Sequence, residues 1–186
     1  MGVEQSTQAT VDELVGNAHG NLERVKEIVA GKPDLINAKA TWNETPIEAA
    51  TQMGNRPIME FLLNHGAHID FFTILVLGRI EDIDRELKRH PDRAQSRGIH
   101  DLPALYFAAI GGNVAVAQRL LEAGAEVNAQ TQAAAPIHGA VMGGNADMVR
   151  LLLDHGADAS LKDYAERDAP SLALAINRAD IAALFD

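Results

Sequence analysis

Leu151-Leu152-Leu153-Asp154-His155-Gly156-Ala157-Asp158-Ala159-Ser160 has two close counterparts in the same chain. They are Phe61-Leu62-Leu63-Asn64-His65-Gly66-Ala67-His68-Ile69-Asp70 and Arg119-Leu120-Leu121-Glu122-Ala123-Gly124-Ala125-Glu126-Val127-Asn128. Each lies at one fixed distance behind a Gly-Asn pair, since Gly54 to Gly66, Gly112 to Gly124 and Gly144 to Gly156 all span 12 residues. Gly20-Asn21 begins a fourth copy, in which Lys32-Pro33-Asp34-Leu35-Ile36-Asn37-Ala38 replaces the second glycine, and Gly78-Arg79 begins a fifth. Self-similarity at a regular interval marks a chain of stacked supersecondary units.

The unit can be read chemically. Glycine adopts the left-handed conformation that ends a helix, and an asparagine after it caps the next helix by accepting a bond from a free backbone N–H. Gly-Asn is therefore a tight turn between two helices. The second helix, as in Asp147 to His155, carries apolar residues at helical spacing and stops at Gly156. The first is shorter and rich in small residues, as in Leu105-Tyr106-Phe107-Ala108-Ala109 and Ile137-His138-Gly139-Ala140-Val141, which lets the two approach closely. A polar stretch such as Gln130-Thr131-Gln132-Ala133-Ala134-Ala135 joins successive modules and suits a hairpin.

On these motifs the chain resembles the ankyrin-repeat proteins, whose unit of about 33 residues carries T-P-L-H-x-A. Thr45-Pro46-Ile47-Glu48-Ala49-Ala50 and Ala135-Pro136-Ile137-His138-Gly139-Ala140 stand at that motif. Gly124-Ala125-Glu126-Val127-Asn128-Ala129 and Gly156-Ala157-Asp158 match the family's G-A-D-V-N-A ending. The resemblance implies an all-α solenoid of helix-turn-helix repeats joined by short hairpin-like fingers. One domain is expected over residues 11–186, with modules of about 11–40, 41–69, 70–97, 98–129, 130–161 and 162–186, behind a flexible leader at 1–10.

Departures from the pattern are informative. The inter-helix glycines Gly54 and Gly78 are only 24 residues apart, and Ile69-Asp70 runs straight into Phe71-Phe72-Thr73-Ile74-Leu75. A finger is therefore expected to be missing near residue 70, with Asp70 capping the following helix. Phe71 and Phe72 either fill the space of the absent finger or form a displayed apolar patch. Val11 to about Asn17 reads as a short first helix, and the last module has an irregular finger and Asn177-Arg178 in place of Gly-Asn. Terminal repeats are expected to be atypical, because each end must meet water on one face.

No catalytic constellation emerges. The chain has no cysteine, and no G-x-S-x-G or phosphate-binding glycine motif is present. Of its seven histidines, His65 and His155 occupy matching helix ends, where a histidine can bond the last carbonyls. His65 and His68 are separated by the helix stop at Gly66, and His19, His90 and His100 have no evident ligand partner, so no metal or cofactor is expected. His138 stands at the family histidine that bonds neighbouring loops, but with Ala135 instead of threonine beside it, which predicts a weaker network.

The formal net charge is −10, which argues against nucleic acid or an anionic membrane as partner. The acidity is uneven: −4 over residues 1–69, zero over 70–100 and −6 over 101–186. No stretch of about 18 apolar residues exists, and Gly2 with Ser6 fits only a loose acylation pattern. A cytoplasmic monomer without stable membrane association is expected.

What remains is surface recognition. The resemblance implies that fingers and first helices form a concave face that binds a partner protein, without catalysis. Carried over by motif, the contact residues are Thr41, Trp42 and Glu44, then Ile99, His100 and Leu102, then Thr131, Gln132 and Ala134 on the fingers. Gln52, Met53, Ile110 and Met142 come from the first helices. Trp42, the only tryptophan, either meets the partner or folds onto a neighbouring finger. Met53, Ile110 and Met142 either line the groove floor or belong to the core. The alternative is an enzyme or small-ligand binder with a pocket around Phe71, Phe72 and Tyr106.

Overall fold

In the computed structural model the backbone is described for residues 2–129 and 131–185, and side chains for residues 7–185 except Gln130. Twelve α-helices follow one another among these residues: α1 Gly2–Ala18, α2 Leu22–Gly31, α3 Pro46–Gln52, α4 Arg56–Asn64, α5 Phe71–Leu77, α6 Ile80–Arg89, α7 Ala104–Gly111, α8 Val114–Glu122, α9 Pro136–Gly143, α10 Ala146–Asp154, α11 Ala169–Ala175 and α12 Ala179–Ala182. There is no sheet among them, only an isolated bridge between Arg97 and Pro103. The helices form an α-solenoid, divided into two compact units, Met1–Thr73 and Ile74–Asp186.

Within the first unit α1 packs on α2 and α3, α3 on α4, and α2 on α4. Leu14, Ile58, Met59 and Leu62 are fully buried between them, each removing about 1.5–3 kcal/mol worth of apolar surface from water. Asn21 and Asn55 cap α2 and α4 by accepting from the amides of Arg24 and Ile58. Thr45 starts α3 with a reciprocal box, in which its amide and hydroxyl both donate to Glu48 Oε2 at 2.8 Å.

α1 departs from the expected leader and short helix, for it reaches back to Gly2. Nothing between Val3 and Val15 breaks a helix, since neither glycine nor proline occurs there. Bonds also tie this segment down: Gln8 donates to Asp12 one turn on and, at long range, to the Lys39 carbonyl, and Lys32 donates to the Thr10 hydroxyl at 2.9 Å. Met1 and the Ser6 side chain of the acylation pattern lie outside the described residues.

The missing finger is a feature of the structure. Only four residues separate Gly66 from α5, and Asp70 Oδ1 accepts the Thr73 amide at 2.7 Å. Asp70 stands in sequence where Asn37 and Asn128 stand in other modules. Those asparagines link successive outer loops: Asn37 donates to the Gly66 carbonyl and accepts the His68 amide, and Asn128 does the same with Gly156 and Asp158. Phe71 is buried and Phe72 partly so.

In the second unit first helices α7, α9 and α11 stack in a row, and second helices α6, α8 and α10 stack beside them. The row is close because it is built on glycine. A Cβ at Gly143 would lie 2.6 Å from the Ile110 carbonyl oxygen, and one at Gly111 would lie 2.7 Å from that of Val76. Gly112 and Gly144 end α7 and α9 in the left-handed conformation, and Asn113 and Asn145 cap the helices that follow. Asn145 also donates to the Gly112 carbonyl at 2.8 Å. In the irregular last module Arg178 performs that task, donating to the Gly144 carbonyl at 2.9 Å.

His138 bonds both its own helix start and the next finger, although Ala135 brings no hydroxyl. It is fully buried, accepts the Ala135 amide on Nδ1 at 3.0 Å, and points Nε2 at the carbonyls of Leu161 and Arg167 at 3.0 and 3.2 Å. The amide bond matches that of Thr45 to Glu48, the hydroxyl bond of that module has no counterpart at Ala135, and the reach into the next finger adds contacts of its own. His65 and His155 each bond a carbonyl one turn back, at 2.8 Å, as their helix-end positions predict.

Candidate functional site

Three fingers share one construction. A backbone bond closes each loop, from Ala40 to Glu44, Gly98 to Leu102 and Asp163 to Arg167, and a left-handed residue turns the tip at Asn43, Asp101 and Glu166. The closing residues face inward: Ala40, Glu44, Leu102 and Asp163 are all buried. Those between them face outward, with Thr41, Trp42 and Asn43, His100 and Asp101, and Tyr164, Ala165 and Glu166 exposed, and Ile99 half-buried.

In the first unit this separates residues that the sequence groups together. Glu44 is fully buried, and so is most of Gln52, so neither is displayed to a partner. They instead hold the finger in place. Trp42 Nε1 donates to Glu44 Oε2 at 2.7 Å, and Gln52 Nε2 lies 2.7 Å from both Glu44 Oε1 and His19 Nε2. Trp42 is thereby tied by its edge while 45% of it stays exposed. The Thr41 amide and hydroxyl both donate to Asp12 on α1. Bonds from Gln8 and then Thr41 hold that carboxyl below its ordinary pKa. Met53 is exposed at the end of α3.

In the second unit Met142 is exposed, whereas Ile110 and Leu102 are buried as core residues. Ile110 is 6% exposed and its backbone lies against Gly143 of α9, so little of its side chain is open to a partner. Thr131 spends its hydroxyl on its own turn, accepting the amides of Ala133 and Ala134, and Gln132 beside it is exposed while Ala134 is buried. Tyr106 is buried with its hydroxyl 3.7 Å from the Met142 sulfur, and burial pushes its pKa far above that of an ordinary phenol.

The last finger contributes residues absent from the sequence-based set. Tyr164 is 77% exposed, and its amide donates to the Ala133 carbonyl at 2.9 Å. Asp163 underpins it, accepting the amides of Ala165 and Arg167 on Oδ1 and the Arg167 guanidinium on Oδ2. Burial raises the Asp163 pKa, but these donors outweigh it and keep the carboxyl below its usual value. The register of the other fingers, carried one module further, would have found Tyr164. Asp101, Thr131, Gln132, Lys162, Asp163, Tyr164 and Glu166 together line an open trough of about 800 Å³.

Helix pairs with small-residue first helices, Gly-Asn turns and fingers at this interval define one repeat class. A family model described as ankyrin repeats (3 copies) matches residues 82–163, and one described as ankyrin repeat matches residues 42–73. The chain belongs to the ankyrin-repeat family. The two matches together cover more than half of its length. Comparison with curated proteins finds no match. Ankyrin repeats are in general protein–protein interaction modules. Among the described residues no group of three or more His, Asp or Glu side chains could hold a metal ion, and no helix is long and apolar enough to cross a membrane.

Proposed function

We propose that this ankyrin-repeat chain is a non-catalytic protein-binding module that grips a partner protein through its fingers and first helices. One observation carries the reading. The exposed large hydrophobic residues among those described are Trp42, Met53, Ile69, Met142, Tyr164, Leu174 and Ile176. All except Ile69 lie on a finger, on a first helix or at its end. Second helices instead show charged surfaces, such as the Arg24, Glu27, Asp82, Arg85, Asp147 and Arg150 pairs. Exposed aromatic and methionine side chains on one class of element favour recognition, because they bury apolar area at small conformational cost.

In the first unit the display set is Thr41, Trp42 and Met53, with Glu44 and Gln52 buried, and in the second it is Ile99, His100, Gln132, Met142 and Tyr164, with Ile110 buried. A partner purified from the native organism on the immobilised chain supplies the binding assay. Trp42→Ala and Met142→Glu, both at exposed positions, should retain the helical circular dichroism signal and lose the partner. Normal binding by both folded variants would show that these fingers and first helices are not the interface.

A further inference from the structure

The trough between the fingers of the second unit has a chemistry of its own. Its walls hold an aromatic ring and two finger-tip carboxylates. Tyr164 is the most exposed large hydrophobic residue of those described, and it is not loose. Its backbone is pinned to Ala133, and the Arg167 guanidinium lies 5.9 Å from the ring centroid, itself fixed by two bonds to Asp163. The ring therefore offers a preset surface to an incoming group.

Asp101 and Glu166 occupy the same tip position of their respective fingers, with φ of 61° and 59°, and both line the trough. Glu166 is exposed and has no ion-pair partner among the described residues. Asp101 is paired with Arg97 at 3.1 Å, but both side chains are open to water, so the pair is weak and exchangeable. The two basic side chains at the trough are already paired: Lys162, on its wall, with Asp168 at 2.8 Å, and Arg167, which lies over one face of the Tyr164 ring and leaves the other to a ligand, with Asp163. A negative potential flanking an exposed aromatic ring suits one group above others. A lysine or arginine lays its aliphatic stem on the ring and carries its cation to the carboxylates.

Resting on the protein-binding reading above, we infer that this trough takes an extended partner segment through a basic side chain, seated on Tyr164 and directed at Glu166 and Asp101. The surrounding charge of −6 over residues 101–186 favours the same partner by steering its approach. Gln132, exposed between the two acidic tips, is placed to bond the segment's backbone.

The test uses a displayed library of random twelve-residue peptides selected on the full chain. Peptides that bind should carry lysine or arginine at one shared position. Their affinity should fall about tenfold in Tyr164→Ala and in Glu166→Lys, the scale of one lost charge-assisted contact. It should fall further with added salt. Selection on the Asp101→Lys/Glu166→Lys double variant should reverse the preference to aspartate or glutamate. All altered side chains are exposed, and unchanged circular dichroism confirms the fold. Binders without a shared basic position, or insensitive to Tyr164→Ala and Glu166→Lys, would overturn the inference. If those binders were still lost in Trp42→Ala or Met142→Glu, the protein-binding reading would stand without it. A selection yielding no binder would count against both.

Discussion

Removing the imidazole of His138 tests the account of how one finger is fastened to the next. In the folded chain Nε2 donates to Leu161 and Arg167, and Nδ1 accepts from Ala135. The Arg167 carbonyl also receives the Asp163 amide, so His138→Ala strands two groups, the Leu161 carbonyl and the Ala135 amide. A buried unpaired group costs about 1–3 kcal/mol; Ala135 is buried and Leu161 half-buried, so the loss is about 3 kcal/mol before any cavity is counted. For a chain of this length that lowers the melting temperature by about 6–12 °C. The same bonds set a pH dependence. Burial holds the His138 pKa below its ordinary value, and the carbonyl partners only partly oppose this. Below the unfolded pKa of about 6.5 the unfolded chain binds a proton that the folded chain refuses. The contribution of His138 to stability is thus complete above that pH and is lost as the pH falls from there through the folded pKa. His138→Gln retains hydrogen-bonding groups without the titration, so its melting curve should change less between pH 7.5 and 5.5 than that of the parent. Thermal melts followed by circular dichroism measure both effects. A His138→Ala melting point within about 2 °C of the parent, or equal pH slopes for the parent and His138→Gln, would refute the assignment.

Close packing of first helices predicts opposite outcomes for two glycines. Gly143→Ala drives a methyl group into the Ile110 backbone and should cost about 1–3 kcal/mol in urea unfolding. Gly16→Ala on α1 meets no atom within 4 Å and should add up to about 1 kcal/mol through helix propensity. The single tryptophan reports on the first finger. Glu44→Ala frees the Trp42 edge and should shift its fluorescence to the red and lower its anisotropy, and an unchanged spectrum would remove Glu44 from its supporting role.

Local, recurring chemistry made most of the fold legible in the sequence. Left-handed glycine followed by a capping asparagine, and an apolar stripe ending in a second glycine, are each encoded within a dozen residues. The missing finger was readable for the same reason, because the shortened interval and Asp70 lie side by side. Readings failed where the outcome depends on distant partners. Residues 2–10 lack an apolar stripe, and the anchors of Gln8 and Thr10, Lys39 and Lys32, belong to other segments. Glu44 is a charged residue in a polar loop and reads as exposed, yet it closes the finger and meets Trp42 and Gln52 inside. Ile110 is indistinguishable by spacing from a displayed residue, and its burial depends on how the first helices stack. Tyr164 stayed hidden because the last module departs from the family pattern around it.

Asp70 also bears on how such a chain can be recombined. Elsewhere the residue linking one outer loop to the next and the residue starting the following first helix are separate, as with Asn37 and Thr45 or Asn128 and Ala135. A crossover between them exchanges a whole module without disturbing either task. At the fingerless junction Asp70 occupies the linking position in sequence while its carboxylate serves the Thr73 amide. No neutral crossover point remains there, so the modules on either side of Asp70 should be inherited, and can only be transplanted, as a pair.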